Sequence, residues 1–401
     1  MCRATMTDQA SSNERKRITS EARRIVIKLG TSVLMSDEGA GIASDRFLAV
    51  VGSIAELKRA GREVLLVSSG AIGLGAERLG MQRRPQLVSL KQACAAVGQG
   101  RLMSLYSDAF AAHGISIAQV LLTEEDFSNR KRYLNLRSTI TKLLDLGVLP
   151  IINENDTVST AEIEYTESAS YAKVNFGDND KLSALVASKM EADLLVLLTD
   201  VAGLHTANPV DSTDARLIPV VERITPEIEE LATDRKASRF GRGGMRTKLE
   251  AARIAAQSAC AVIITSGKAP DVIDRIFSGE ELGTLFMPSS ALPGKRRWIA
   301  FATTVTAAVV INEGARQALV EGKASLLPAG VLEVRGEFER GDTVSILDEQ
   351  QREFARGIVN YSAAEARRIT GKRSNEIDEL VENRNYDALV TRDNIAFLDR
   401  R

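Results

Sequence analysis

Residues 25–32, IVIKLGTS, place a lysine, Lys28, inside an apolar strand segment that is followed by a glycine turn at Gly30. A buried charge is costly unless an opposite charge meets it, so Lys28 indicates an anion near the end of this strand. Residues 243–248, GGMRTK, form a second glycine-rich turn that ends on Lys248. Glycines let backbone N–H groups approach a phosphate, and a helix N-terminus adds a favourable dipole. The two stretches predict an enzyme that holds a polyphosphate from both ends, without a Walker A sequence.

The strand around Lys28 belongs to a series that predicts an α/β fold. Short Val/Ile/Leu runs alternate with longer helix-like segments, and the runs lie at 25–29, 63–67, 148–152, 194–198 and 261–264. Apolar runs without alternation are typical of strands covered on both faces, so we expect a three-layer αβα sandwich around a mainly parallel sheet. Ligands bind such sheets where strands end and helices begin, which predicts a site on one rim of the sheet.

A change in composition near residue 285 divides the chain. The stretch 285–298 holds two prolines and a basic cluster, as a linker would. Alternating segments beyond it, followed by a helix, predict a small β-rich module, with the strands at 305–311, 330–336, 342–348 and 352–359 and the helix at 363–370. We therefore expect a polar N-terminal tail whose order is left open (1–20), a catalytic domain (21–285), a linker (286–304), the β-rich domain (305–385) and a C-terminal tail (386–401).

The overall composition excludes several classes of protein. With 401 residues and 44% hydrophobic content, the chain can form two or three domains with full cores. Its 52 basic and 53 acidic residues give a net charge of −1, so no overall field attracts nucleic acid or membranes. No apolar segment resembles a secretory signal or approaches the roughly 18 residues of a membrane span. We expect a soluble cytoplasmic protein.

Two acidic loops, NEND at 153–156 and GDND at 177–180, interleave carboxylates with amides. Amides and backbone N–H groups can hold a carboxylate, and Asp can accept from an ammonium group, so the mixture would suit an amino acid. The same residue types are common in Asx turns and at helix N-caps. A calcium loop is a third interpretation, which we disfavour because the terminal glutamate of an EF-hand is missing.

Other catalytic arrangements have less support in the sequence. The two histidines, His113 and His205, do not lie near a candidate nucleophile, and the sequence has no zinc-type cluster. Lys28 could also be a lysine whose stem snorkels at a strand end, and GGMRTK could be an ordinary turn that starts a helix. The presence of both lysines in one α/β domain favours phosphate binding for each.

Seven motifs in a fixed order resemble the amino-acid kinase family, and within it the glutamate 5-kinases. They are VIKLGTS, SSGAI, AAVGQ, NEND, GDND, LLTD and GGMRTK, and the match runs through about 24–285. The β-rich module is similar to a PUA domain, on the segments NEGARQAL, SLLPAGV, G-x-F-x-R-GD and SNEIDEL. The resemblance covers nearly the whole chain except the first twenty residues or so.

The resemblance implies an activity. The γ-phosphoryl group of ATP would pass to the side-chain carboxylate of L-glutamate, giving L-glutamyl 5-phosphate in the first step of proline synthesis. Mg²⁺ would accompany ATP, held by phosphate oxygens and water rather than by a protein ligand. The resemblance further implies feedback inhibition by L-proline and a homodimer or homotetramer. The next enzyme, glutamate-5-semialdehyde dehydrogenase, is an open candidate partner, and no membrane is implied.

The resemblance also implies roles for individual residues. Lys28 and Lys248 would bracket the phosphoryl group, and Asp180 would either orient these lysines or touch the substrate. ATP would contact Lys28, Thr199, Asp200, Arg242, Gly243, Gly244, Met245, Arg246, Thr247 and Lys248. Glutamate would contact Ser69, Gly70, Ala71, Asn153, Asp156, Asp178 and Asn179.

Two features depart from the family pattern. The loop 157–176 is about ten residues longer than in many bacterial relatives, which leaves glutamate affinity and proline sensitivity open. Arg242 and Arg246 stand where small or hydroxyl residues are usual, and their charges could hold phosphates or face water. For Arg246 we expect water.

Rival interpretations concern the substrate and the second domain. Acetylglutamate kinase and aspartokinase share the fold, but the GDND loop and the C-terminal module favour glutamate 5-kinase. The PUA-like module could instead indicate an RNA-binding or RNA-modifying protein. It contains more acidic than basic residues and no basic stripe, so we expect a structural or regulatory role and no RNA partner.

Overall fold

The computed structural model describes residues 8–36, 41–81, 85–123, 125–158, 179–209, 212–232, 244–289, 307–321, 324–372 and 387–398, together with Ile299 and Val305. These residues divide into two compact units, which we call the first unit (8–289) and the second unit (299–398).

The first unit is built on an eight-stranded sheet in the order β3-β4-β2-β1-β5-β7-β8-β6. Its strands are β1 (Arg24–Leu29), β2 (Glu63–Ser68), β3 (Ile117–Leu122), β4 (Leu149–Glu154), β5 (Leu194–Thr199), β6 (Val220–Val221), β7 (Ala261–Ser266) and β8 (Thr284–Phe286). The strands from β3 to β7 in this order pair in parallel, and β8 is antiparallel to β7. The predicted, mainly parallel sheet is confirmed.

Helices cover both faces of this sheet. They are α1 (Asp8–Glu21), α2 (Thr31–Leu34), α3 (Ser44–Arg59), α4 (Ala71–Arg78), α5 (Val88–Ala111), α6 (Glu125–Ser128), α7 (Arg130–Asp145), α8 (Asn179–Lys189), α9 (Pro226–Glu230), α10 (Met245–Ala256) and α11 (Val272–Phe277). On β1, Ile25, Ile27 and Leu29 share a core with α3 and α5. Side chains alternate along a strand, so Lys28 belongs to the opposite face, where α8 packs on β1.

Helix α1 corrects the prediction that residues 1–20 are a polar tail. Arg15 in this helix is only 1% exposed. Its guanidinium donates hydrogen bonds at 2.5–3.2 Å to the carbonyl oxygens of Pro219, Leu282 and Gly283. The sequence looked like a tail because this helix has no continuous apolar stripe. A buried arginine attaches it, together with Ile18 in the core and with Arg62, which donates to the Thr19 carbonyl.

The second unit has its own sheet and its own core. Its five strands follow the order β10-β9-β11-β12-β13 and comprise β9 (Ala308–Ile311), β10 (Val331–Arg335), β11 (Thr343–Leu347), β12 (Glu353–Ile358) and β13 (Ile395–Phe397). Its helices are α12 (Glu313–Val320) and α13 (Ala363–Ile369). The four predicted strands and the predicted helix of this module are confirmed, and α12 and β13 are additional.

Two predicted boundaries are wrong by several residues. Residues 387–398 fall in the predicted C-terminal tail, yet β13 pairs with β12 and Val390 and Ile395 are fully buried in the core of the second unit. At the predicted start of the linker, β8 continues to Phe286, and the Met287 N–H donates to the Val221 carbonyl. Short strands at the ends of a sheet carry too few apolar residues to stand out in a sequence. None of the described helices is long and apolar enough to cross a membrane.

Candidate active site

The candidate site lies where four neighbouring strands end. The order β4-β2-β1-β5 places the ends of these parallel strands side by side, and each end carries a predicted site residue. Asn153 lies at the end of β4, Ser69 follows β2, Lys28 is near the end of β1, and Thr199 ends β5. The strands of a parallel sheet point the same way, so these residues share the rim that the sequence predicted.

Three buried charges meet at the centre of this rim. The Lys28 Nζ lies 2.6 Å from Oδ1 of Asp180, and the Lys248 Nζ lies 3.1 Å from Oδ2 of the same carboxylate. Exposure is 5% for Lys28, 0% for Asp180 and 4% for Lys248. Thr247 adds a hydroxyl 3.5 Å from Oδ2. Asp180 therefore contacts both lysines, which is the geometry that an orienting role requires.

Asp180 is ionised within this cluster. Burial alone would raise the pKa of Asp180, but the positive charges of Lys28 and Lys248 outweigh burial and hold that pKa well below its ordinary value. Asp180 is therefore an ionised carboxylate between two lysine side chains. Two ammonium groups therefore lie at one carboxylate in a buried place, an arrangement that favours an anionic ligand.

Two glycines give the lysines their places. The Gly30 N–H donates to the Leu198 carbonyl at 3.1 Å, which brings the turn after β1 against β5. A Cβ atom on Gly30 would lie 3.5 Å from the Lys28 Nζ, so glycine keeps the space beside this ammonium group open. Gly244 precedes α10 with an extended backbone, and Lys248 is the fourth residue of that helix.

An amide cluster lies next to the charged cluster. The side-chain nitrogen of Asn179, the residue before Asp180, lies 2.8 Å from Oγ of Ser69, 3.0 Å from Oδ1 of Asn153 and 3.2 Å from the carbonyl oxygen of Ser68. Residues from α8, β2 and β4 therefore meet at one point. The start of α8 contributes to both clusters, since it carries Asn179 and Asp180 in sequence.

The turn after β2 places Gly70 and Ala71 at the same rim. Gly70 has φ of 107°, a left-handed conformation that favours glycine, and α4 begins at the next residue. Helix α4 crosses α5 very closely, because Gly75 and Gly98 leave no side chain between them. A Cβ atom on Gly98 would lie 1.8 Å from the Ala71 carbonyl oxygen.

Two residues of α5 that reach this region were not predicted to belong to the site. Gln99 is 9% exposed, and its Oε1 accepts a hydrogen bond of 2.9 Å from Nδ2 of Asn153. The Tyr106 hydroxyl lies 2.8 Å from Oγ of Ser68, and burial raises the pKa of this tyrosine. Gln99 ends the motif AAVGQ, which was the only signal for it. Nothing in the local sequence indicates that a residue in the middle of a long helix would reach β4.

The predicted nucleotide residues lie beside the charged cluster or on the turn after β5. Thr199 is buried, donates its hydroxyl hydrogen to Oδ1 of Asp200 at 3.0 Å, and accepts at its carbonyl from the Gly267 N–H at 2.8 Å. Met245 is the first residue of α10 and is half-buried. Arg246 is exposed, as we expected.

The remaining predicted residues are less well placed or lie outside the description. Asp156 is half-buried in the turn that follows β4. Arg242, Gly243 and Asp178 fall outside the described residues, as does most of the long loop 157–176. Within the described ranges, no group of three or more His, Cys, Asp or Glu side chains could hold a metal ion.

Comparisons with known proteins agree with this geometry. The amino acid kinase family model matches residues 23–266, and the PUA domain model matches residues 307–381. The glutamate 5-kinase of Pelobacter propionicus is 44% identical over 388 residues, covering 96% of this chain and all of the relative. That of Moorella thermoacetica is 46% identical, covering 94% of this chain and 97% of the relative. That of Gloeobacter violaceus is 50% identical, covering 89% of this chain and 94% of the relative.

These relatives match both units in a single alignment, and the identity is far above what a shared fold alone requires. The resemblance first read from seven motifs is confirmed over almost the full length of the chain. The chain belongs to the amino acid kinase family, among its glutamate 5-kinases, and carries a PUA domain after the kinase domain.

Proposed function

We propose that this protein is a glutamate 5-kinase in activity as well as in family. It transfers the γ-phosphoryl group of ATP to the side-chain carboxylate of L-glutamate and releases ADP and L-glutamyl 5-phosphate. The observation that carries the proposal is the buried cluster of Lys28, Asp180 and Lys248, which lies directly beside the amide cluster of Asn153 and Asn179. One cluster suits a phosphate and the other suits a small polar ligand.

The chemistry needs no general base. A carboxylate is already ionised at neutral pH, so one of its oxygens attacks the γ-phosphorus while the bond from that phosphorus to the ADP oxygen breaks, and no proton moves. The obstacle is to bring two anions together and to stabilise the charge on the phosphoryl group in flight. Lys28 and Lys248 perform this task, and Asp180 fixes both ammonium groups in place before the substrates arrive.

The nucleotide site extends from the two lysines over α10 and the turn after β5. Thr247 and Lys248 lie in the first turn of α10, whose N-terminal dipole favours phosphate. Met245, Gly244 and the preceding residues 242–243 would lie along the phosphates, with Thr199 and Asp200 under the nucleoside. Mg²⁺ would enter with ATP, coordinated by phosphate oxygens and water.

The glutamate site extends over the amide cluster. The Ser69 hydroxyl and the backbone N–H groups at Gly70 and Ala71 would hold a carboxylate of glutamate. Asn153 and Asn179 would hold the remaining polar groups of glutamate together with Asp156 and Asp178. The Ser69 end of this site follows β2, the strand next to that of Lys28.

Three further properties belong to the proposal. The reaction would be the first step of proline synthesis, and L-proline would inhibit it by overlapping the glutamate site. The enzyme would act as a homodimer or homotetramer, with glutamate-5-semialdehyde dehydrogenase as the consumer of its product. A proline titration that leaves activity unchanged would remove the inhibition from this proposal.

The decisive experiment traps the product. The purified protein is incubated with ATP, Mg²⁺ and hydroxylamine in four reactions, of which three contain L-glutamate, N-acetylglutamate or aspartate and the fourth contains no acceptor. We expect hydroxamate and ADP in equal amounts with glutamate alone. Hydroxamate formed with a different acceptor would agree with the proposed phosphate site but show that glutamate is not the substrate. No turnover with any acceptor would reject the activity, and a gel shift with tRNA at low salt would then test the RNA-binding alternative.

A further inference from the structure

Gln99 is a buried polar residue for which the proposed reaction has so far found no use. It lies on α5, between residues that pack in the core, and its side-chain oxygen accepts from Nδ2 of Asn153 at 2.9 Å. Asn153 in turn accepts from Asn179 at 3.0 Å, and Asn179 donates to Ser69 at 2.8 Å. We call the three amides Gln99, Asn153 and Asn179 the amide chain.

The direction of every hydrogen bond in the amide chain follows from one fixed point. The Ser68 carbonyl oxygen can only accept, so Asn179 must present its nitrogen to it, at 3.2 Å. The same nitrogen faces Asn153, which must then present its oxygen. The nitrogen of Asn153 is left to face Gln99, which must accept. Reversing any one amide would bring two donors or two acceptors together.

The amide chain also determines what Ser69 can do. Its Oγ receives a hydrogen from the Asn179 amide, which has no accepting atom on that side. The hydroxyl hydrogen of Ser69 must therefore point away from Asn179. A serine in this state is a hydrogen-bond donor, and a donor at this rim suits a carboxylate rather than an ammonium group.

We propose that Gln99 is a positioning residue for the glutamate site. By accepting from Asn153 it satisfies the nitrogen of that amide and holds Asn153 where it accepts from Asn179. Asn179, held in this way, keeps Ser69 a donor toward a carboxylate of the substrate. The inference rests on the proposed function, because it names that substrate. Gln99 contacts the site only through Asn153 and is not a catalytic residue.

The backbone around Gln99 is held as firmly as its side chain. The neighbouring Gly98 lies against the Ala71 carbonyl at the start of α4, with no room for a Cβ atom. The backbone of α5 at Gln99 therefore lies close to the turn after β2, where α4 begins. A rigid helix crossing is what a positioning residue needs, since misplacement by a fraction of an ångström weakens its effect.

The test compares two substitutions of Gln99 with one control. Gln99→Met keeps the length and volume of the side chain but removes the acceptor, and Gln99→Asn keeps the amide but shortens its reach. The control is Tyr106→Phe, which removes a different buried hydrogen bond of the same helix, from Tyr106 to Ser68. Steady-state kinetics are measured for glutamate and for ATP, and thermal unfolding is measured for each variant.

We expect both Gln99 variants to raise KM for glutamate about tenfold, the effect of one buried hydrogen bond. KM for ATP and kcat should stay close to those of the wild type. Tyr106→Phe should lower the unfolding temperature and leave KM for glutamate unchanged. If Gln99→Met fails to fold, Gln99→Asn carries the comparison alone, since it keeps a polar group at this position.

Two results would overturn the inference. One is an unchanged KM for glutamate in a folded Gln99 variant. The other is a parallel change of kcat and of both KM values, in the control as well, which is what a purely structural role predicts. Failure of the proposed function looks different, because the wild-type protein itself would then form no hydroxamate from glutamate.

Discussion

At the scale of single residues, the central feature is that Asp180 is shared by two lysines. Removing one partner of a buried ion pair leaves an uncompensated charge, which typically costs more than the pair contributes. Here one carboxylate serves two ammonium groups, so its loss affects both Lys28 and Lys248. The lysines come from β1 and α10, far apart in sequence, and their positions relative to each other depend on this carboxylate.

Asp180→Asn tests this dependence through its effect on stability at different pH values. The variant should lose about 3–5 kcal/mol of unfolding free energy at pH 7. The folded state lowers the pKa of Asp180 below its ordinary value of 3.8, so its contribution is present above about pH 4 and is lost as the pH falls further. Urea unfolding at pH 7 and pH 3 should therefore show a gap between wild type and variant that shrinks in acid. An equal gap at both pH values would contradict the assignment.

Lys28→Ala tests the catalytic role that we propose for this lysine. Loss of one preorganised donor to the transferred phosphoryl group should lower kcat about 10²–10³-fold, measured as hydroxamate formation at saturating substrates. Lys189→Met is the matched control, because Lys189 is also buried but lies at the other end of α8, about 15 Å from Asn179. Near-normal turnover in Lys28→Ala, or an equal loss in the control, would reject the role.

Much of the residue-scale picture could be predicted from the sequence, and the exceptions have physical reasons. Lys28 stood out as a lysine within an apolar strand, Lys248 as the end of a glycine-rich turn, and Asp180 as part of the acidic loop GDND with a role implied by the family resemblance. Gln99 did not, because its function depends on a helix crossing that no local pattern reports. That Asp180 contacts both lysines could be seen only from distances between residues remote in sequence.

At the scale of elements, the crossing of α4 and α5 determines where two parts of the site lie. Gly98 lies against the Ala71 carbonyl and Gly75 against the Cys94 carbonyl, both too close for any side chain. The closeness brings the start of α4 and the middle of α5 to one rim. Two helices with ordinary side chains at the contact would be 8–10 Å apart, and α5 would then not reach β4 in the same way.

Gly98→Ala tests this crossing against an internal control. The added methyl group would force α5 away from α4, so we expect an overpacking cost of about 1–3 kcal/mol and a raised KM for glutamate. Gly100→Ala lies on the same helix with nothing within 4 Å of its Cβ position. There, alanine should stabilise the helix by roughly 0.5–1 kcal/mol. Equal effects of the two substitutions would show that the crossing tolerates a side chain.

Arg15 attaches helix α1 to the first unit, and Arg15→Met tests how far the attachment depends on this side chain. Methionine can fill part of the space but removes the guanidinium that donates to the carbonyl oxygens of Leu282 and Gly283, while the Pro219 carbonyl still accepts from the Leu285 N–H, so we expect a loss of about 2–4 kcal/mol. Chemical denaturation measures the loss. The control is Arg17→Met on the same helix, which removes an exposed ion pair with Glu14 and should change the stability little. An unchanged stability in Arg15→Met would mean that other contacts hold α1.

Elements with a strong local pattern were predicted correctly, and those that depend on tertiary contacts were not. The continuous apolar runs of β1, β2, β4, β5 and β7 identified them as buried strands. Strand β3 was missed because it lies at the edge of the sheet, is mostly half-exposed and carries Gln119. Helix α1 has a polar sequence, and its attachment through a buried arginine leaves no apolar pattern by which it could be predicted.

At the scale of the whole molecule, the described site residues all belong to the first unit, and each unit has its own hydrophobic core. Separate cores are typical of domains that unfold separately. The PUA domain therefore adds to the kinase without supplying any residue of the described site. The predicted two-domain plan agrees with this division. Its boundary at 285 falls inside β8, and its boundary at 385 falls before β13.

A chain that ends at residue 289 tests this independence. Because β8 and its partner β6 are complete at that point, we expect the shortened protein to fold and to form hydroxamate from glutamate at the rate of the full chain. Calorimetry of the full chain should show two unfolding transitions, of which the shortened chain keeps one. A shortened protein that folds but is inactive would show that the second unit takes part in the reaction.

The contact of Arg15 with the carbonyls of residues 282 and 283 has a consequence for folding during synthesis on the ribosome. Helix α1 is synthesised early. Two of the three carbonyl oxygens that accept hydrogen bonds from its arginine belong to residues synthesised only after nearly the whole first unit. Until then α1 must remain in water, which its charged sequence permits without exposing an apolar surface. Contacts this distant in the chain form slowly, so docking of α1 should be among the last events in the folding of the first unit.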